Sequence, residues 1–213
     1  MRLVSCGALV ALSCVTVHAV GAEVYGGVGT TGYEIGLAQT VGNGFGARIE
    51  ANSLSIRRDF NTSGIDYDSR LKFSNAGIYL DAFVAGSFRV TGGALIGTRK
   101  FHGNARSSGN TIELNGVTYV LGAGDSLEFE AKFPNVMPYI GVGWGHQQDT
   151  AGLHFYADAG VAIGRPDVKL TPSPSLLAKV NPNDVAAEQN SAQDKADGLR
   201  FYPVLKFGIR YAF

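Results

Sequence analysis

The C-terminal stretch Phe207-Gly-Ile-Arg-Tyr-Ala-Phe213 alternates large apolar side chains with small or charged ones. Successive side chains on a strand point to opposite faces, so Phe207, Ile209, Tyr211 and Phe213 share one face while Gly208, Arg210 and Ala212 share the other. Apolar outside and polar inside is the pattern of a strand standing between lipid and a polar lumen. Few architectures accept such a strand. The chain beyond residue 22 holds nothing close to the roughly 18 consecutive apolar residues of a transmembrane helix. Unpaired backbone groups in hydrocarbon cost several kcal/mol each, so a membrane-spanning chain of this kind must close into a barrel.

The N-terminus is read as an export signal. Met1 to Ala22 carries one early charge at Arg2, an apolar run from Leu3 to Val17 and small residues at Val20-Gly-Ala22, so residues 1–22 are expected to be a signal peptide cleaved before Glu23. Leu3-Val-Ser-Cys6 and Ala11-Leu-Ser-Cys14 vaguely resemble a lipobox, but the apolar region before either cysteine is short. Both cysteines lie in this segment, which leaves residues 23–213 without a disulfide framework or a cysteine metal site. Lys plus Arg and Asp plus Glu each total 18, and near-neutrality argues against a nucleic-acid partner. The 29 glycines are about twice the average frequency, and many fall in strand-like segments, where they make room for large neighbours in a narrow barrel.

Alternation recurs along the chain. Phe45, Ala47, Ile49 and Ala51 oppose Arg48, Glu50 and Asn52, and after Asn52 the phase slips toward Leu54 and Ile56, which suggests a bulge. Further strands are expected over about 33–40, 66–84, 88–96, 138–145, 153–161 and 199–213, which with the 45–60 segment makes seven. Bacterial single-chain barrels have even numbers, and a short first strand over 24–28, turning at Gly29-Thr-Thr-Gly32, brings the count to eight. The expected fold is thus all-β, an eight-stranded antiparallel up-and-down transmembrane barrel over 23–213. Tight turns are expected near 41–44, 85–87 and 146–151, with extracellular loops near 61–64, 102–125 and 164–198. Asp184 to Asp197 reads as a polar surface helix with Asn183 or Asp184 as N-cap.

The inward phases place Glu34, Arg48, Glu50, Asp81, Arg89, Arg99, Asp158, Lys206 and Arg210 in or near the lumen. Eight strands leave an interior just wide enough for side chains, so charges of both signs must pair or be hydrated. Two outcomes stand open: an ion-paired plug, or a rearrangeable network whose acids Glu34, Glu50, Asp81 and Asp158 contact the amino group of a small solute. The chain is read as no enzyme. It has no nucleophile elbow, and His102, His146 and His154 form no metal-ligand pair at helical spacing, so no catalytic residue, cofactor or metal is assigned. A lipid-facing Ser/His/acid group would be needed for a lipid-modifying activity. Trp144, Tyr33, Tyr211 and Phe213 read as interfacial aromatics.

Gly29-Thr-Thr-Gly-Tyr33, Asn115-Gly-Val-Thr-Tyr119 followed by Gly122-Ala-Gly-Asp125, Pro138-Tyr-Ile-Gly-Val-Gly-Trp144, Gly160 to Thr171 and Tyr202-Pro-Val-Leu-Lys-Phe-Gly occur in that order. This ordered set resembles the CarO-type outer-membrane proteins, the ornithine-uptake porins associated with carbapenem susceptibility. The resemblance implies a monomeric eight-stranded barrel with large extracellular loops in the outer membrane of a Gram-negative bacterium. It implies passive, porin-like uptake or binding of ornithine and other basic amino acids, through a lumen that is occluded rather than openly porous. It transfers no binding residues. Family members close on tryptophan, and here Phe213 takes that apolar place, resembling the address read by the barrel-assembly machinery. Expected partners are therefore outer-membrane lipid, lipopolysaccharide, that machinery and small solutes. The alternative is a sealed structural barrel whose loops mediate surface interactions.

Overall fold

The computed structural model describes residues 22–41, 44–62, 65–106, 111–146 and 151–213. The expected signal peptide up to Gly21, and the tips of the turns near 41–44 and 146–151, lie outside these residues. Twelve strands are present among them: β1 (Ala22–Gly29), β2 (Gly32–Val41), β3 (Phe45–Thr62), β4 (Ile65–Ala85), β5 (Phe88–Arg106), β6 (Thr111–Leu114), β7 (Val117–Val120), β8 (Ser126–Lys132), β9 (Val136–Trp144), β10 (Gly152–Ile163), β11 (Asp167–Pro172) and β12 (Phe201–Ala212). Two helices, α1 (Pro174–Leu177) and α2 (Pro182–Asp197), lie between β11 and β12.

Eight strands close into an antiparallel ring, β1-β2-β3-β4-β5-β9-β10-β12, with β12 pairing back onto β1. The expected eight-stranded up-and-down barrel is the observed fold, and the first strand is longer than the sequence suggests. Closure leaves no free edge among these eight, which is what hydrocarbon demands of a sheet. On β12, Phe201, Leu205, Phe207, Ile209 and Tyr211 face outward, continued by Phe213, while Val204, Lys206 and Arg210 are buried inside. An apolar belt built in the same way runs around the ring, through Ile35 and Leu37, Phe45 and Ile49, Ile78 and Leu80, Ile140 and Val142, and Leu153 and Phe155.

Three expectations are corrected here. The bulge after Asn52 is absent: β3 pairs with β4 in one unbroken register from Phe45–Ala82 to Thr62–Ile65. What changes is the environment. Outward residues run from Phe45, Ala47, Ile49 and Ala51 to Ser53, Ser55, Arg57 and Asp59, while the inward face passes from Arg48, Glu50 and Asn52 to Leu54 and Ile56. On β4 the outward Leu80, Ile78 and Ala76 likewise give way to Ser74, Lys72 and Arg70, and the inward Asp81, Tyr79 and Asn75 to Phe73 and Leu71. The strands leave the apolar belt without breaking step, and the two faces exchange polarity.

Second, pairing continues to Thr62 and resumes at Ile65 within the loop expected at 61–64, whose residues 63–64 lie outside the described residues. Third, much of 102–125 and 164–198 is regular structure. Strand β5 continues to Arg106, where its outer half pairs with β8, and β11 pairs with β8 in turn. A wall of β3, β4, β5, β8 and β11 thus rises above the ring. Chain breaks at Phe133-Pro-Asn135 and Gly164-Arg-Pro166 separate β8 from β9 and β10 from β11, at prolines that cannot donate to the ladder.

A cap lies at this wall. Hairpin β6–β7 turns at Asn115-Gly116, both at positive φ, as a two-residue hairpin of the Asn-Gly kind requires. Leu114, Leu121, Leu176 and Val180 form a small apolar core here, with Leu127 and Val185 packed against it. Helix α2 starts two residues earlier than expected, with Asn181 as N-cap and Pro182 at the first helical position, where its missing N–H costs nothing. Gln189 and Gln193 on α2 accept the backbone N–H groups of Leu170 and Val168, tying the helix to edge strand β11.

Candidate functional site

The lumen of the ring collects the polar side chains, and alternation alone explains why. Inward positions on all eight strands converge on a space about as wide as the side chains that fill it. Glycines set where the large ones lie. A Cβ at Gly77 or Gly93 would strike Tyr79, one at Gly141 or Gly160 would strike Tyr139, and one at Gly27 or Gly208 would strike Tyr156. Each ring occupies the space these glycines leave, and the hydroxyls of Tyr79 and Tyr156 reach Glu50 and Glu34.

At the end that carries the termini, Glu23 accepts from Arg210 Nη1 at 2.8 Å and meets His146 Nδ1. Next comes a square of two arginines and two aspartates. Arg48 donates Nε and Nη2 to Asp81 at 2.6 and 3.1 Å and Nη1 to Asp158 at 3.0 Å. Arg89 bridges the same two acids, Nε lying 3.3 Å from Asp81 and Nη2 bonding Asp158, while Nη1 donates to the Gly145 carbonyl at 2.7 Å. Thr91 donates to Asp81 at 2.6 Å. Bidentate and bridging contacts of this kind satisfy most of the donors that burial would otherwise leave unpaired, Arg89 Nε making an ion-pair contact without a hydrogen bond.

Further along, Lys206 lies between two carboxylates. Its ammonium bonds Glu50 and lies 3.2 Å from Glu34 Oε2. Glu50 also accepts from Tyr79 at 2.7 Å, Asn52 at 2.9 Å and Tyr25 at 3.1 Å, while Glu34 accepts from Tyr156. The Arg48 and Lys206 cations lie 5.0 and 4.9 Å from the centre of the Tyr79 ring, within cation–π range.

An apolar layer follows, in which Leu95, Met137, Ala162 and Val204 are each 0% exposed and pack with Tyr79 and Tyr139. These side chains pack together inside the ring at that level. On the loop side of the layer stand Asn75 and Arg99. Arg99 Nη1 donates to the Pro134 carbonyl at 3.1 Å, while its Nε and Nη2, and both polar atoms of Asn75, have no partner among the described residues.

All nine side chains placed inward from sequence are buried. The structure brings eight of them together as ion pairs and sets Arg99 apart. The charges balance locally in the square and at Glu23–Arg210, whereas Lys206 faces two carboxylates and Arg99 faces none among the described residues. Sequence reasoning missed Glu23, assigned to the edge of a cleavage site, and His146, assigned to a turn. Alternation with Tyr25 was the signal that would have found Glu23. Alternation with Asp81 and Asp158 likewise puts Tyr79 and Tyr156 on the inward face.

No family model matches the sequence, and no curated protein matches it. Solved structures do. The crystal structure of Acinetobacter baumannii CarO is similar with a TM-score of 0.61 at 18% identity, over 90% of this chain and 97% of that one. The crystal structure of Acinetobacter baumannii CarO2 is similar with a TM-score of 0.63 at 19% identity, over 90% of this chain and 98% of that one. The chain therefore has the CarO-type fold.

Proposed function

We propose that the chain is an integral outer-membrane barrel of a Gram-negative bacterium that passes or binds small polar solutes, basic amino acids first. The observation that carries this reading is the sharing of one ammonium, that of Lys206, between Glu34 and Glu50. Two carboxylates around one cation leave capacity for a second, and a solute ammonium can take over Glu34 while Lys206 keeps Glu50. The surrounding phenols of Tyr25, Tyr79 and Tyr156 can rotate their protons to follow such an exchange. In this reading the barrel is monomeric and not an enzyme. It lies in outer-membrane lipid and lipopolysaccharide, delivered by assembly machinery that reads the strand ending in Phe213.

The test is flux of ornithine, arginine and a neutral sugar into liposomes holding the refolded protein, beside protein-free vesicles. Selective entry of the basic amino acids, weakened in Glu34→Gln or Glu50→Gln, is the expected result. No flux above the control from a folded barrel would overturn the reading.

A second reading is favoured by the fully buried apolar layer: a sealed barrel whose cap meets a partner at the cell surface. Deletions in the cap that abolish partner binding and leave flux at the control level would support it.

A further inference from the structure

We propose that Arg99 and Asn75 form a carboxylate-accepting subsite at the loop end of the lumen, the first station for a small solute carrying a carboxylate. The proposal deepens the solute reading above and rests on it for its biological meaning.

Every other lumen cation lies against a carboxylate, and the cost of burying a lone charge is the reason. Arg99 is 0% exposed yet has no acid beside it among the described residues. Its one protein hydrogen bond, Nη1 to the Pro134 carbonyl, fixes the guanidinium plane and leaves Nε–H and Nη2–H side by side. That edge is the fork that matches the two oxygens of a carboxylate.

Asn75 supplies the neighbouring donor. It lies on β4 opposite Gly97, while Arg99 on β5 lies opposite Phe73, so the two side chains are diagonal neighbours on the same inward face. Both polar atoms of the Asn75 side chain are buried and without a partner among the described residues. Two adjacent inward groups, each with unused hydrogen-bonding capacity, point to a ligand rather than to a packing role. Phe73 and Phe133 meet Tyr202 edge to face at 5.7 and 6.1 Å, forming an aromatic wall beside the site. Phe133 and Tyr202 are only partly buried, so this wall of the site reaches solvent.

The location suits a two-station passage. Glu50 is level with Gly77, and Gly77 with Leu95, four residues before Arg99 on β5. Four steps of strand are about 13 Å, more than a small amino acid spans. The carboxylate docks at Arg99, four steps of strand beyond Leu95, and the ammonium is then taken up by Glu34 and Glu50.

The experiment is an acetate titration of the refolded full-length barrel in detergent, with arginine side chains labelled with nitrogen-15 and the Arg99 Nε–H resonance identified by its loss in Arg99→Lys. The expected result is a saturable shift of that resonance with acetate, and none with n-butylammonium or methyl phosphate. Arg99→Lys keeps the charge but not the fork, and acetate affinity, read by acetate relaxation, should fall about tenfold. Asn75→Leu should weaken it less. Arg99→Gln should fold at least as stably as the parent, since it removes an unpaired charge, and a lowered urea midpoint would mark a structural role and overturn the proposal. A silent acetate titration, equal response to methyl phosphate, or unchanged affinity in Arg99→Lys would also overturn it. Acetate binding without amino-acid flux would sink the transport reading and leave the subsite standing. Flux with no acetate response would do the reverse.

Discussion

At the scale of single residues, Asp158 contacts two buried guanidinium groups, those of Arg48 and Arg89. Replacing it with leucine leaves two buried guanidinium groups to share the single carboxylate of Asp81. The expected loss is about 3–5 kcal/mol, the range for breaking a buried pair from one side, and urea unfolding from lipid vesicles measures it. Tyr79→Phe removes the hydroxyl between Glu50 and Lys206, with an expected cost of about 1.5–3 kcal/mol for a hydrogen bond to a charged group. The inward phase of these residues was legible in the sequence because period-two alternation is local. The pairing was not. Arg48 and Asp158 are 110 positions apart and Lys206 and Glu50 156 apart, so only ring closure decides which charges meet. The isolation of Arg99 was invisible for the same reason.

At the scale of elements, the exchange of face polarity along β3 and β4 makes a testable pair. Ile78→Arg places a charge on the lipid-facing belt and should destabilise the barrel by about 2–4 kcal/mol. Lys72→Leu, six residues back on the same outward face, should change stability by no more than about 0.5 kcal/mol, as at an ordinary wet surface. Equal effects at the two sites would show that the belt does not end between them. This exchange is also why the sequence reading went wrong after Asn52: a rule of polar inside and apolar outside holds only at membrane depth, and beyond it the same strand looks out of phase. The Asn115-Gly116 hairpin was readable from its turn chemistry, yet it was absorbed into a loop. Helix α2 was found by composition, and its start was missed because Pro182 was not weighed as a first helical residue.

In the cap, Asp125 accepts from Lys179 at 2.6 Å and from the Gly122 N–H at 2.8 Å. These contacts, Lys179 first, hold its carboxyl down at about 2. A carboxyl lowered on folding stabilises the cap above the ordinary aspartate value of about 3.9, and that contribution is lost as pH falls toward 2. The Gly122 amide resonance should accordingly titrate near 2 and not near 4, and Asp125→Asn should abolish the transition.

At the scale of the whole molecule, the apolar packing inside the ring is separate from the cap. Leu95, Met137, Ala162 and Val204 meet within the ring, well away from the hairpin and helices of the cap. Removing the β6–β7 hairpin should therefore leave planar-bilayer conductance as small as that of the intact protein. A large conductance in the deletion would show that the cap, and not the apolar layer, is the barrier.

The seam between β1 and β12 has a temporal consequence. Arg210 meets Glu23 across 187 positions, and Lys206 meets Glu50 across 156. The cations that Glu23, Glu34 and Glu50 meet, Arg210 and Lys206, both lie on β12, so these acids are neutralised only when the ring closes.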